Sequence, residues 1–144
     1  MLTTILQPTK IIKVNDKEMR QLHEQAAEKG QVIFHCYHHS CYDFCSGSCQ
    51  VSLNPGVLLM PHEGGEPSSL LHLYNMELAP LFIKKVYDLT NFTIVFSGLP
   101  KHCDHFDFIE PDDDGAGWEL TNIARNKSDV YKLYIKRRRV WLGM

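Results

Sequence analysis

The hydrophobic period of this chain changes once, at Gln31, and that change limits the folds open to it. Before Gln31, Met19, Leu22 and Ala26 recur at helical spacing, with Lys17, Arg20, Glu24, Glu28 and Lys29 falling between them. A stripe of this kind marks an amphipathic helix. Asn15 stands three positions before Glu18, the spacing of a capping box, and Gly30 offers a left-handed stop. One helix is therefore predicted over 16–29.

After Gln31 the period is two. In QVIFHCY, Val32, Phe34 and Cys36 alternate with Ile33, His35 and Tyr37; NFTIVFS (91–97) and YKLYIK (131–136) repeat the pattern. Between such runs stand NPG (54–56), PHEGGEPSS (61–69), SGLP (97–100) and PDDDGAG (111–117), whose residues end strands and make turns. The expected fold is mainly β, an antiparallel β-sandwich of about seven strands behind one N-terminal helix. Phe34, Leu73, Phe92, Ile94, Phe96, Phe108, Trp118, Leu120, Leu133 and Ile135 are its expected core.

A chain of 144 residues is the size of a single domain, here taken as 1–144, and can bury a core without metal or disulfides. With 44% apolar and 22% charged residues, it falls outside the disordered and collagen-like classes. The formal net charge of −2 provides no global field for nucleic acid, so no nucleic-acid partner is expected. Lys136-Arg137-Arg138-Arg139 is a local exception. No eighteen-residue apolar run is present, so no membrane span is expected. The opening MLTTILQPTKIIKVN lacks a basic export-signal region, and five cysteines leave one thiol without an intramolecular partner. Both features favour the cytoplasm.

The phrases NMELAP (75–80) and FSGLPKHCDHFDFIE (96–110), with WELTNI (118–123) and the last strand after them, carry a resemblance. Over 71–135 the chain is similar to the carboxy-terminal half of small bacterial β-sandwich domains of uncharacterised function. The resemblance implies an immunoglobulin-like sandwich and brings no activity with it.

HCYHHSCYDFCSGSC (35–49) concentrates three histidines and four of the five cysteines. A structural zinc site takes four thiolate or imidazole ligands, often two from one loop at separations of two to four residues. Cys41, Cys45 and Cys49 keep such spacing, with His38 and His39 at the entrance, so these five are the candidate metal ligands and zinc the candidate metal. A second, distant ligand pair is missing, since C-x-x-C occurs nowhere in the chain, and disulfides or free thiols remain open readings. Cys36 shares the Val32–Phe34 side of its strand and is expected to be buried and inert. Cys103, between His102 and His105, is the candidate for a catalytic thiol, which needs a neighbouring base and an electropositive setting. Glu110 to Asp114 lacks the alternate ligands of an EF-hand, and TNIARNKSD (121–129) reads as turn chemistry.

No phosphate-binding, dinucleotide-binding, zinc-protease or nucleophile-elbow motif occurs. The expectation is accordingly a non-enzymatic binding module without a cofactor, taking a protein or small-molecule ligand through its loops. A metal- or redox-responsive protein built on His35–Cys49 and a thiol enzyme centred on Cys103 are the alternatives.

Overall fold

The structure is a computed structural model and describes residues 15–39, 49–85, 89–112, 117–136 and 139–143, with the backbone alone at 49, 50, 83–85 and 89. Helix α1 (Asp16–Lys29) occupies the predicted span. Its ends close as the sequence implies. Asn15 Oδ1 accepts the Glu18 backbone N–H at 2.8 Å, and Asn15 Nδ2 donates to the Glu18 carboxylate at 3.2 Å. Gly30 lies at φ 68°, where the Gln31 N–H reaches Ala26 O at 2.8 Å and its own N–H reaches Ala27 O at 3.3 Å, a Schellman closure.

Ten strands follow: β1 (Val32–His39), β2 (Cys49–Val51), β3 (Leu58–Pro61), β4 (Ser68–Tyr74), β5 (Ile83–Lys85), β6 (Leu89–Phe96), β7 (His105–Ile109), β8 (Glu119–Ala124), β9 (Val130–Lys136) and β10 (Arg139–Leu142). Eight form one sheet in the order β10-β9-β1-β6-β4-β3-β7-β8, and β2 pairs with β5 separately. The protein is mainly β with one N-terminal helix, as expected. Among the described residues an isolated parallel bridge joins Leu53 to Leu78, and the strand pairings are antiparallel except one: β1 and β9 run parallel, Ile33 opposite Val130 through His39 opposite Lys136. The expectation of a wholly antiparallel sheet is corrected at that pair.

Chain length explains this exception. Strands β8 and β9 stand six intervals apart in the sheet, roughly 29 Å if the sheet were flat at about 4.8 Å per strand. Five residues, 125–129, join them. The six Cα–Cα steps from Ala124 to Val130, at about 3.5 Å each, reach roughly 21 Å, so the sheet must curl and bring its edges together. The edges do approach: β8 and β10 come into contact. Strand β9 thus arrives beside β1 from the far edge instead of from a hairpin with it.

Curling gives the sheet an inner and an outer face. Phe34 of β1 meets Phe106 and Phe108 of β7 across the interior, with ring centroids 6.2 and 5.2 Å apart. Phe92, Ile94, Phe96, Leu133 and Ile135 fill the same core, and Trp118 closes it at 9% exposure. Leu73 and Leu120, expected inside, are half-buried against it. Both belong to strands whose pairing is interrupted by a register shift, in β4 between Leu70 and His72 and in the β7–β8 pair between Phe106 and Phe108. On the outer face α1 lies over β1 and β6, packing Ala26 and Leu22 against Ile33, Val95, Val130 and Tyr74. The loop after β6 presses on the helix end: a Cβ on Gly98 would stand 2.5 Å from the Gly30 carbonyl oxygen, so only glycine fits.

The 125–129 turn has the chemistry read from its sequence. Arg125 donates to both carboxylate oxygens of Asp129, from Nε at 3.1 Å and Nη2 at 3.0 Å. It also clamps the 100–103 loop through Pro100 O at 2.7 Å. Asn126 Oδ1 accepts the Asp129 N–H at 2.7 Å, and Asp129 takes φ 55°. No described helix is long and apolar enough to cross a membrane.

Candidate functional site

Where α1 crosses β1, one open cleft of about 460 Å³ separates the helix from the outer sheet face. Asp16, Met19 and His23 line it from the helix, His35 and Tyr37 from β1, Asn91 and Thr93 from β6, Lys132 from β9, and Asn75 from the segment after β4. Each arrives by an ordinary rule. Asp16, Met19 and His23 recur at three- and four-residue steps on one helix side, while His35 and Tyr37 are alternate residues of a strand whose partners across the ladder are Thr93 and Asn91.

Two imidazoles meet at the centre. His23 Nε2 and His35 Nε2 are 2.8 Å apart, and His35 Nδ1 lies 3.0 Å from Thr93 Oγ1. Two tautomers satisfy this chain. In one, Thr93 donates to Nδ1 and His35 Nε2–H donates to His23; in the other, His35 Nδ1–H donates to Thr93 and receives from His23. Burial, reinforced by the neighbouring His23 and Lys132, lowers the His35 pKa from 6.5 to about 4. His35 is therefore neutral at ordinary pH and a weak base. A general base works best with a pKa near the operating pH, so the pair is better suited to holding a hydrogen-bonding group than to removing a proton.

Asn75, in a left-handed conformation at φ 66°, is among the residues lining the cleft, and its Oδ1 is buried with no hydrogen-bond partner. Buried polar atoms are nearly always paired, which makes this acceptor an exception. Glu77 Oε2, two residues on, is also buried without a hydrogen bond.

The sites expected from sequence fare differently. Cys41 and Cys45 lie outside the described residues, and Cys49 opens β2 with only its backbone described. His38 points to the inner face, where it is buried with its ring centroid 5.2 Å from that of Trp118, whereas His39 is on the outer face. Neighbours on a strand diverge in this way, so these two do not converge. Among the described residues no group of three or more His, Cys, Asp or Glu side chains could hold a metal ion.

Cys36 is buried, its thiol pushed far up by desolvation and by nearby Glu110. Cys103 is buried too; it donates to His105 O at 3.3 Å, and burial together with Glu63 raises its pKa. A nucleophilic cysteine requires the opposite shift. Peptide-level alkylation of the native chain should therefore leave Cys36 and Cys103 unmodified until denaturant is added. Rapid native modification of Cys103 would return it to consideration as a reactive thiol.

Glu110, first of the acidic run, is a clamp. Its carboxylate accepts the Asn54 N–H at 2.8 Å and the Trp118 N–H at 3.1 Å, tying the turn before β3 to the start of β8. Desolvation raises its pKa, and the two N–H bonds oppose the rise.

The His23–His35 pair was not legible as a site in the sequence. Its only signal was a histidine on the apolar side of each of two adjacent elements, which is commonly a packing position. No family model, curated protein or solved structure matches this chain.

Proposed function

We propose that the chain is a non-enzymatic binding module whose ligand occupies the cleft between α1 and the outer face of β1, β6 and β9. The observation that carries this reading is the hydrogen-bonded chain of His23, His35 and Thr93 lining a cleft whose other walls include Asn75, Asp16, Tyr37 and Lys132. A volume of about 460 Å³ falls in the range of sites for small molecules. Its lining mixes an acceptor amide, a lysine, a carboxylate and a phenol. A metabolite-sized polar ligand carrying both donors and acceptors suits such a set. The weakly basic His35 and protonated Cys103 support binding over catalysis. An immunoglobulin-like origin for the frame, implied by the resemblance over 71–135, fits the predominance of antiparallel pairs. The parallel β1–β9 pair is its distinguishing feature.

Ligand-observed NMR against a set of polar acids, amides, nucleosides and sugars tests the reading. A true ligand shifts the imidazole resonances of both His23 and His35. Asn91→Trp, at an exposed position of β6, fills the cleft and abolishes the signal without unfolding the chain. If no compound moves those resonances, or if Asn91→Trp leaves binding intact, the cleft is not the binding site.

A further inference from the structure

At the rim of the α1 cleft, of which Tyr37 and Lys132 are lining residues, the outer sheet face changes character. Tyr37, Tyr134 and Trp141 stand side by side on β1, β9 and β10 as one stack, with centroids 4.9 Å apart at 18° and then 5.9 Å apart at 14°. Lys136 and Arg139, paired across the β9–β10 ladder, form the next row, and Lys132 stands on the other side of the aromatic row. Successive rows on one strand face are about 7 Å apart, so the rings lie between the Lys136–Arg139 pair on one side and Lys132 on the other. Arg137 and Arg138 follow Lys136 directly in the sequence.

The strands of this face carry no acid. The outward positions of β4, β6, β1, β9 and β10, read from their registers, include no Asp or Glu. Of the carboxylates carried by α1, which lies over the same outer face, Asp16 lines the cleft together with Tyr37 and Lys132.

We infer that the outer face of β10, β9 and β1 binds a single-stranded nucleic acid, its phosphates on Lys132, Lys136 and Arg139 and its bases at the open ends of the Tyr37–Tyr134–Trp141 stack. Single-strand surfaces combine these two elements: cations that follow the backbone and aromatic rings that receive bases of any sequence. One end is Trp141, 40% exposed, with the Arg139 guanidinium 5.8 Å from its ring centroid, where a base would have to displace or join it. The other is the face of Tyr37 turned away from Tyr134, toward Asn91 on β6. An acidic protein partner is disfavoured because the centre of a protein interface is depleted of charge, whereas here cations flank the rings on both sides. Duplex DNA is disfavoured because stacked bases leave no face free for a ring.

The test uses the full chain and a fluorescently labelled fifteen-residue oligothymidylate, at about 50 mM salt where phosphate contacts are strong. The expected result is saturable anisotropy with quenching of tryptophan emission, assigned to Trp141 because Trp118 is buried. Lys136→Glu with Arg139→Glu, both exposed positions, should weaken binding at least about tenfold and flatten its salt dependence. Trp141→Ala should weaken it by about tenfold while leaving the salt slope unchanged. Circular dichroism checks that both variants remain folded. The inference is overturned by absence of binding at low salt, by equal competition from polyglutamate or phosphatidylglycerol vesicles, or by full affinity in folded Trp141→Ala. Lys136, Arg139 and Trp141 do not line the cleft, so Lys136→Glu with Arg139→Glu, and Trp141→Ala, should leave a cleft ligand bound, and this surface and the cleft can fail separately.

Discussion

Phe34→Ala should lower the unfolding free energy by about 4 kcal/mol in urea titrations, among the larger losses a single truncation produces. Phe34 has no exposed surface and sits where the curled sheet closes on itself. Its ring stacks on Tyr131 of β9 at 4.9 Å, meets Phe96 of β6 edge-on at 5.8 Å, and touches Phe106 and Phe108 of β7. Truncation removes the transfer energy of the ring, the geometry-dependent part of several aromatic pairs, and the filling of a space that rigid strands on every side cannot collapse to recover. Phe82→Ala is the matched control. At 44% exposure it should change stability by no more than about 0.5 kcal/mol. A loss below about 1 kcal/mol for Phe34→Ala would mean that β1 and β7 do not meet across the interior and that the curl deduced from the 125–129 link is wrong.

The features that were legible in the sequence are those set by near neighbours. Asn15, Glu18 and Gly30 determine both ends of α1 through hydrogen bonds spanning three to five residues, so its bounds could be read directly. Alternation placed Phe34, Ile94 and Leu133 inside because a strand has only two faces. What joins to what was not legible. The parallel β1–β9 pair depends on a turn that crosses between the sheet's edges, and no local pattern in VIFHCYHH or VYKLYIK reports it. The cleft was hidden for the same reason: His23, His35, Asn75, Thr93 and Lys132 come from five separate parts of the chain. The HCYHHSC segment stood out because its ligand-type residues are close in sequence, yet the strand turns His38 inward and His39 outward, and Cys41 and Cys45 lie outside the described residues.

Acid should loosen this protein well before its carboxylates titrate, and His35 should be the cause. Around His35 stand His23 on α1, Lys132 on β9 and Thr93 on β6, with the Asp16 carboxylate the one acid lining the same cleft. In the folded chain the His35 pKa is about 4, while in the unfolded chain it takes its ordinary value of 6.5. Between those values the unfolded chain binds a proton that the folded chain does not. The stability from a neutral His35 is thus complete above pH 6.5 and is lost as pH falls toward 4. The full shift sets a ceiling of about 3 kcal/mol, and solvent at the cleft mouth should screen this to about 2 kcal/mol. Glu110 opposes the loss: its raised pKa means that protonation in this range favours the folded chain, so the measured decline is a difference between the two. Urea unfolding at a series of pH values isolates His35 by comparing the native chain with His35→Gln, which cannot take up the proton. The variant should start less stable at pH 7, through loss of the Thr93–His35–His23 chain, and then show a flatter profile between pH 6.5 and 4. Parallel profiles, or a His35 imidazole that titrates near 6.5 by NMR, would show that the pair is open to water and that α1 does not cover it.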